Sequence, residues 1–224
     1  MVNQTKPQSF KDRDYFPSFR NCPGEYSWDD RYLALLDPLN PDSALGNKKH
    51  WCLLAEIIED DTLIHPRIVA KDHDGTNFVV AFYPDNPDDM PRLMKDFKVG
   101  NTIAIFYPLV HVFPDRTLGI RVEESDEVII IPLKLSEVFE MNKEAIKYTP
   151  ADGAPLRCHS CDETRDKLLR CVRCESAYYC NKECQATGWN ENKHKRFCKA
   201  LKEKNVKRMQ FLDYGHFNGC ISFC

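Results

Sequence analysis

The sequence predicts an α+β protein, in which a β-rich first domain precedes a small module that is held folded by metal. Two observations predict this architecture. Short β-prone apolar runs separated by polar turns recur between residues 51 and 131, a pattern typical of antiparallel sheets. Farther along, cysteine and histidine recur between Cys158 and Cys198 at the close spacings of zinc ligands.

The composition is that of an ordinary globular chain of one or two domains, with 224 residues, 42% hydrophobic and 29% charged. No run approaches the roughly 20 apolar residues that span a bilayer, and the polar N-terminus lacks the apolar core of a secretory signal. Most cysteines lie at metal spacing. We therefore expect a reducing, intracellular location in the nucleus, the cytoplasm or both, and no membrane partner.

Residues 1–27 combine prolines, aromatic residues and charges without periodicity. This pattern predicts an extended arm whose aromatic side chains pack on the following domain. The β-rich domain is predicted to occupy residues 28–148. Its first element, residues 28–36, is predicted as a short helix that ends before Pro38 and Pro41.

The β-prone runs lie at residues 51–58, 67–70, 78–83, 102–107, 118–122 and 127–131. Asp74-Gly75 between the second and third runs is a hairpin signal. A short helical piece is predicted at residues 92–97. Three strands, a short helix and two or more further strands resemble the order of an OB-type barrel; a small sandwich or an unrelated β-barrel has a similar pattern.

The end of the first domain, residues 135–148, is predicted as a helix because Glu137 and Glu140 lie early in it, near the positive end of the helix dipole. Residues 149–156 form a linker by composition. The metal module follows at residues 157–198. Residues 199–224 are predicted as a basic helical tail. The first 150 residues are acidic overall and the remainder are basic.

Eight side chains of the module match zinc-ligand spacing. The order is Cys158-x2-Cys161, Cys171-x2-Cys174, Cys180-x3-Cys184 and His194-x3-Cys198. In a Cys-x2-Cys knuckle the two sulfurs converge on one ion. Ligands four residues apart lie on one face of a helix. Seven cysteines and one histidine supply two complete tetrahedral sets, which predicts two structural zinc ions and no open catalytic position.

Two asparagines are predicted as helix caps in this module, Asn181 for the helix that carries Cys184 and Asn190 for the helix that carries His194. His159 lies between two ligands of the first knuckle. Because Cys-x2-Cys already supplies that half of a site, we expect His159 not to bind the metal.

Residues 158–198 resemble a MYND-type zinc finger. Besides the eight ligands, the familiar positions are Tyr178-Tyr179 before Cys180, Gln185, Trp189 and the pair His194-Lys195. The resemblance implies a cross-braced arrangement. One zinc would take Cys158, Cys161, Cys180 and Cys184, and the other would take Cys171, Cys174, His194 and Cys198.

The resemblance also implies a partner, because MYND fingers bind short proline-containing peptides, often of the Pro-x-Leu-x-Pro kind. The family's peptide contacts fall on Gln185, Trp189 and Val172 in this sequence. Gln185 would hydrogen-bond the peptide backbone and Trp189 would form an apolar wall. Val172 departs from the family pattern, which often has a small polar residue there. The predicted function is a protein-interaction adaptor in transcriptional regulation.

Two other functions have less support in the sequence. A methyltransferase would need a SET domain with an Asn-His-Ser-Cys-type segment, and the sequence has none, so we expect no enzymatic activity. The alternative is nucleic-acid binding, in which the basic tail contacts phosphates and aromatic side chains of the barrel stack on bases, namely Phe78, Phe82, Tyr83, Phe106 and Tyr107. The acidic first domain argues against that alternative.

Overall fold

The computed structural model describes residues 6–37, 39–40, 43–61, 66–84, 90, 94–150 and 154–223. The chain divides into two compact units. The sheet unit comprises Phe10–Leu135 and Asp213–Cys224, and the finger unit comprises Val2–Ser9 and Ser136–Leu212, as far as these stretches are described. Each unit is therefore assembled from two separate stretches of sequence.

The sheet unit contains nine described strands: β1 Leu33–Leu35, β2 Leu45–Asn47, β3 Cys52–Asp61, β4 Arg67–Asp72, β5 Asn77–Phe82, β6 Thr102–Phe106, β7 Val110–Val112, β8 Leu118–Val122 and β9 Val128–Ile131. The described elements that follow are α1 Leu135–Tyr148, β10 Leu169–Arg170, β11 Tyr178–Tyr179, α2 Lys182–Asn190, α3 His194–Lys202 and α4 Lys204–Gln210. Within the described ranges, no helix is long and apolar enough to cross a membrane.

Strands β3 to β9 form one seven-stranded sheet in the described part of the chain, in the order β7-β8-β5-β4-β3-β6-β9. Neighbouring strands are antiparallel except for β5 and β8, which run parallel. The long strand β3 lies between β4 and β6 and carries a bulge between Ile57 and Glu59. The predicted β-prone runs are thus confirmed as strands of one sheet.

Alternate residues of the central strands build the main core, as the two-residue period of a strand requires. On β3 these residues are Leu53, Ala55 and Ile57, all 0% exposed. The same cluster takes Ile103 and Ile105 from β6, with further side chains from β4, β5 and β8. Burial of this apolar surface is the main stabilising contribution to the unit.

The OB-type barrel is not confirmed. In the described residues β7 and β9 are the two edges of the sheet, and no pairing closes it into a barrel. What the structure shows is a mixed α and β chain with a large sheet. The predicted helical piece at residues 92–97 lies partly outside the described residues; Phe97, which is described, packs on Phe82 with ring centroids 4.9 Å apart.

Asp72 joins the predicted hairpin to the N-terminal arm. Gly75 adopts a φ of +81°, which favours glycine in the turn between β4 and β5. One carboxylate oxygen of Asp72 accepts the amide hydrogens of Asp74 and Thr76 at 3.0 and 2.8 Å. The other accepts the N–H of Phe19 at 2.8 Å. The Phe19 ring stacks on Phe78 at 4.4 Å, so the arm is packed into the sheet unit.

The predicted helix at residues 28–36 is wrong. Residues 33–35 form strand β1, which pairs antiparallel with β2. Polar side chains of the connection explain the difference. The Asp37 N–H donates to the Ser43 hydroxyl at 2.8 Å, and the Asp37 carboxylate accepts from Leu39 N–H at 3.0 Å. These local hydrogen bonds between side chains and backbone favour a hairpin and compete with helix formation.

Residues 213–223, called here the return segment, complete the sheet unit after the chain has left the finger. Tyr214, Ile221 and Phe223 are all buried. The carbonyl of Tyr214 accepts the His50 N–H at 2.9 Å, and the Phe223 N–H donates to the Asp126 carbonyl at 2.7 Å. The segment therefore contributes both side chains and backbone hydrogen bonds to the sheet unit.

The longer stretch of the finger unit begins within helix α1, whose bounds Leu135–Tyr148 agree with the prediction. Two ion pairs join α1 to helix α3 and the residue before it: Glu137 contacts Arg196, and Glu140 contacts Lys193 at 3.0 Å. The Asn142 side chain also donates to the Gln8 carbonyl at 2.9 Å.

The predicted domain limits stay predictions, and the compact units divide the chain differently. Helix α1 belongs mostly to the finger unit, because its side chains pair with α3. The helical part of the predicted tail ends at Gln210, where α4 ends. The return segment then belongs to the sheet unit.

Candidate metal centre

The first group of ligands consists of Cys158, Cys161, Cys180 and Cys184, whose ligand atoms all lie within 4.8 Å of one another. The first two belong to the knuckle before β10. Cys180 directly follows β11, and Cys184 lies in the first turn of α2. The Cys161 sulfur is 3.7 Å from that of Cys180 and 3.9 Å from that of Cys184.

The second group consists of Cys171, Cys174, His194 and Cys198, also within 4.8 Å of one another. Its knuckle follows β10, while His194 and Cys198 lie one turn apart on α3. The sulfurs of Cys171 and Cys198 are 3.9 Å apart, and the Cys174 sulfur is 3.6 Å from His194 Nε2.

These separations fit tetrahedral zinc. A zinc–sulfur bond of about 2.3 Å gives a sulfur–sulfur separation of about 3.8 Å across a tetrahedron, and replacement of one sulfur by nitrogen shortens it to about 3.6 Å. Both groups match these values, and His194 would bind through Nε2. The donor sets, four thiols in one and three thiols with an imidazole in the other, are those of closed structural sites.

Backbone donors support the thiolates. The Ser160 N–H donates to the Cys158 sulfur at 3.4 Å, and the Ser176 N–H donates to the Cys174 sulfur at 3.5 Å. Burial raises the pKa of the Cys158 thiol, but backbone N–H groups including those of Cys161 and Ser160 outweigh burial and lower it to about 7. At Cys158 the backbone thus favours the deprotonated form that zinc requires.

The two groups interleave along the chain. The first and third ligand pairs share one site, and the second and fourth pairs share the other. The grouping coincides with the cross-braced sets that the resemblance implies. Between the sites lies a small core that includes Ala177 and Tyr179. Gly188 is required beside it, since a Cβ there would lie 2.4 Å from a carbon of the Tyr179 ring.

One predicted helix cap agrees with the structure and the other does not. The Asn181 side chain accepts the Cys184 N–H at 2.8 Å and caps α2 as predicted. Asn190 instead lies at the end of α2. The N-cap of α3 is Lys193, which has a φ of +63° and makes no side-chain capping bond. The Lys193 ammonium pairs with Glu140 instead, a contact that local sequence spacing does not reveal.

His159 lies outside both ligand groups. Its Nδ1 accepts the Tyr178 N–H at 3.0 Å, and its ring stacks on Tyr148 with centroids 4.0 Å apart. Burial lowers the pKa of His159 to about 4, so the ring is neutral at pH 7. Sequence reasoning missed this role, in which His159 links helix α1 to strand β11.

Two of the three predicted peptide contacts lie on α2, and Val172 lies in the second knuckle, between Cys171 and Cys174. Val172 is 88% exposed and is therefore accessible to a partner. Gln185 and Trp189, on α2, are partly buried. The guanidinium of Arg173 lies 5.4 Å from the centroid of the Trp189 ring. This contact brings the loop that carries Val172 next to α2.

Unequal burial predicts unequal zinc lability. All four ligands of the second group are buried, whereas in the first group Cys161 is exposed and Cys180 and Cys184 are intermediate. We expect a chelator to release zinc in two phases, with the first group emptied first. Alkylation with N-ethylmaleimide followed by peptide mass spectrometry should label Cys161, Cys180 and Cys184 before the second group. A single release phase, or the reverse labelling order, would contradict this.

Comparison with known proteins agrees with this geometry. The family model described as "MYND finger" matches residues 158–198. Human "Histone-lysine N-methyltransferase SMYD3" is 35% identical over 74 residues, 33% of this chain and 17% of that protein.

Mouse "Histone-lysine N-methyltransferase Smyd1" is 41% identical over 46 residues, 20% of this chain and 9% of that protein. Zebrafish (Danio rerio) "N-lysine methyltransferase SMYD2-A" is 42% identical over 45 residues, 20% of this chain and 10% of that protein. The chain thus spans less than a fifth of the length of each of these relatives. Residues 158–198 are a MYND finger with two zinc sites, and this finger is what the chain shares with these methyltransferases.

Proposed function

We propose that this protein is a non-enzymatic adaptor that recruits short proline-containing peptides through its MYND finger, in transcriptional regulation. The observation that carries the proposal is the contact between Arg173 and Trp189. It brings the loop that carries the exposed Val172 next to the helix that carries Gln185. Exposed apolar side chains next to hydrogen-bonding groups are typical of peptide-binding surfaces.

The short strand β10 supports the same proposal. Among the described residues β10 pairs with β11 alone, in a two-stranded sheet, so its other edge is open. Leu169 on β10 is 45% exposed. An extended peptide can add to such an edge through its backbone and place alternate side chains against the neighbouring apolar surface. Proline suits this mode because it tolerates an extended edge position.

The experiment that tests this proposal is a calorimetric titration of the zinc-loaded chain with a Pro-x-Leu-x-Pro peptide. We expect Val172→Asp and Trp189→Ala each to weaken binding at least tenfold, because both remove apolar contact area. Val172 is so exposed that its substitution should leave two zinc ions bound. Trp28→Ala is the control, since Trp28 is 56% exposed and lies in the sheet unit. Unchanged affinity in Val172→Asp and Trp189→Ala would refute the proposal.

Nucleic-acid binding has less support. Of the five aromatic side chains that would stack on bases, Phe78, Phe82 and Phe106 are 3%, 3% and 1% exposed, Tyr107 is half-buried and Tyr83 is 46% exposed. Two basic side chains near the tail, Lys193 and Arg196, are paired with carboxylates of α1. We expect no salt-dependent binding of the protein to DNA or RNA at low ionic strength.

Absence of catalysis is likewise part of the proposal. The relatives are methyltransferases by name, but their similarity to this chain covers at most 74 residues, 33% of the chain. We expect no transfer of labelled methyl groups from S-adenosylmethionine to histones by the purified chain.

An intracellular location is proposed because six of the eleven cysteines are buried or half-buried thiol ligands of the two metal groups, and such sites persist in reducing compartments.

For the sheet unit we propose an OB-like architecture. Strands β3, β4 and β5 form an antiparallel meander. Strand β6 returns beside β3, and β8 lies parallel to β5. This crossing of non-consecutive strands supports a Greek-key arrangement of the kind found in OB-type barrels.

A further inference from the structure

A cavity of about 330 Å³ lies within the finger unit, bounded by helix α1, the finger, α3 and α4. Its volume is within the range of about 300 to 1,000 Å³ that is usual for small-ligand sites. None of the three proposed peptide contacts, Val172, Gln185 and Trp189, lines it. The cavity is therefore a separate site from the proposed peptide surface.

The walls are largely apolar and aromatic. Helix α1 contributes one face, with Met141, Ala145 and Tyr148 at helical spacing. The other walls supply further apolar side chains, among them Leu156, Tyr178, Phe197, Leu201 and Phe211. Aromatic and aliphatic walls suit an alkyl chain, and aromatic rings also attract a cation.

The charges in the walls favour a cation. Glu144 is half-buried at the cavity, and within the described residues its carboxylate makes no hydrogen bond or ion pair. Glu175 also lines the cavity and is only loosely paired, with Arg170 at 3.6 Å. The one lysine in the lining is Lys207, whose ammonium already donates to the Cys174 carbonyl at 2.6 Å.

Gln210 provides a second, independent sign of a ligand. This residue lines the cavity and is 2% exposed, yet its Nε2 has no hydrogen-bond partner in the described structure. Buried polar groups in folded proteins nearly always have a partner. A hydrogen-bond acceptor on a ligand, reached directly or through one water molecule, would provide it.

We propose that this cavity binds a lysine residue of a partner peptide. The ammonium pairs with Glu144, the four-carbon stem packs on the apolar walls, and a carbonyl of the peptide supplies the acceptor for Gln210. Lysine combines these three features: a compact charge, an apolar stem and an adjoining carbonyl. Pairing with a half-buried carboxylate is stronger than the same contact in open water.

The test compares two small probes on the full, zinc-loaded chain by amide NMR. Nα-acetyl-lysine methylamide carries the charge, and Nα-acetyl-norleucine methylamide has nearly the same shape without it. We expect the lysine probe to shift the amide resonances of Ala145 and Tyr178 in a saturable way. The norleucine probe should bind at least tenfold more weakly. Equal binding of the two probes, or no saturable shift, overturns the proposal.

Substitutions in the cavity walls test whether the lysine probe binds there. Glu144→Gln should weaken binding of the lysine probe at least fivefold. Glu140→Gln is the matched control, because Glu140 lies one turn earlier on α1, pairs with Lys193 and is not part of the cavity lining. Ala145→Leu fills the cavity and should abolish binding while two zinc ions remain. Full binding by Glu144→Gln or Ala145→Leu would refute the site. Trp189→Ala should bind the lysine probe normally, which separates this proposal from the peptide surface.

Discussion

Removal of zinc is expected to unfold residues 158–198. The finger has little apolar core of its own: four of the six buried members of its cluster are the metal ligands Cys158, Cys171, Cys174 and Cys198. Zinc binding therefore supplies most of its folding free energy, on the order of 10 kcal/mol or more per structural site. Hydrogen exchange followed by mass spectrometry should show loss of amide protection throughout this segment after chelation.

Substitution of a single zinc ligand tests the assignment of the second group. Cys174→Ser should leave at most one zinc per chain and should abolish protection around α3, because Cys174 is 0% exposed and no water can easily replace its sulfur. Cys220→Ser is the control, since Cys220 is exposed and belongs to neither ligand group. Two tightly bound zinc ions in Cys174→Ser, measured by elemental analysis, would contradict the assignment.

The second large effect is expected from Tyr214→Ala in the return segment. Tyr214 is 0% exposed, and the centroid of its ring lies 4.9 Å from that of Phe16 and 5.6 Å from that of Tyr15. Deletion of a buried aromatic side chain leaves a cavity and typically costs about 3 to 5 kcal/mol. The free energy of unfolding, measured in urea through tryptophan fluorescence, should fall by this amount.

His216→Ala controls for a general effect of changing this segment. The His216 side chain is exposed, and an exposed substitution usually changes stability by no more than about 0.5 kcal/mol. If Tyr214→Ala were as stable as His216→Ala, the return segment would not be part of the sheet unit's core. Two zinc ions should remain bound in both variants.

The sequence was most informative where a feature depends on neighbouring residues. The spacing of Cys171 and Cys174 identifies a zinc knuckle because a gap of two residues is enough to bring both sulfurs to one ion. The cap at Asn181 and the turn at Gly75 are likewise local. Each is decided by a few adjacent residues, and the structure agrees with each.

Features that depend on distant residues escaped prediction. Nothing next to Asp72 in the sequence indicates that it accepts the N–H of Phe19, 53 positions earlier. The parallel pairing of β5 with β8 and the stacking of His159 on Tyr148 also join separated residues. Residues 28–36 were misassigned because the pairing of β1 with β2 outweighs weak helical propensity in that stretch.

The return segment also sets an order of events during protein synthesis. A ribosome delivers residues at about 5 to 20 per second, and domains generally fold as they emerge. The finger emerges complete before Tyr214, Ile221 and Phe223, so it can bind zinc while the sheet unit still lacks these side chains. Until they arrive, apolar surface around Phe16 and Phe106 stays uncovered. Nascent chains of this protein should therefore need a chaperone for the earlier half of the sequence, and zinc supply alone would not remove that need.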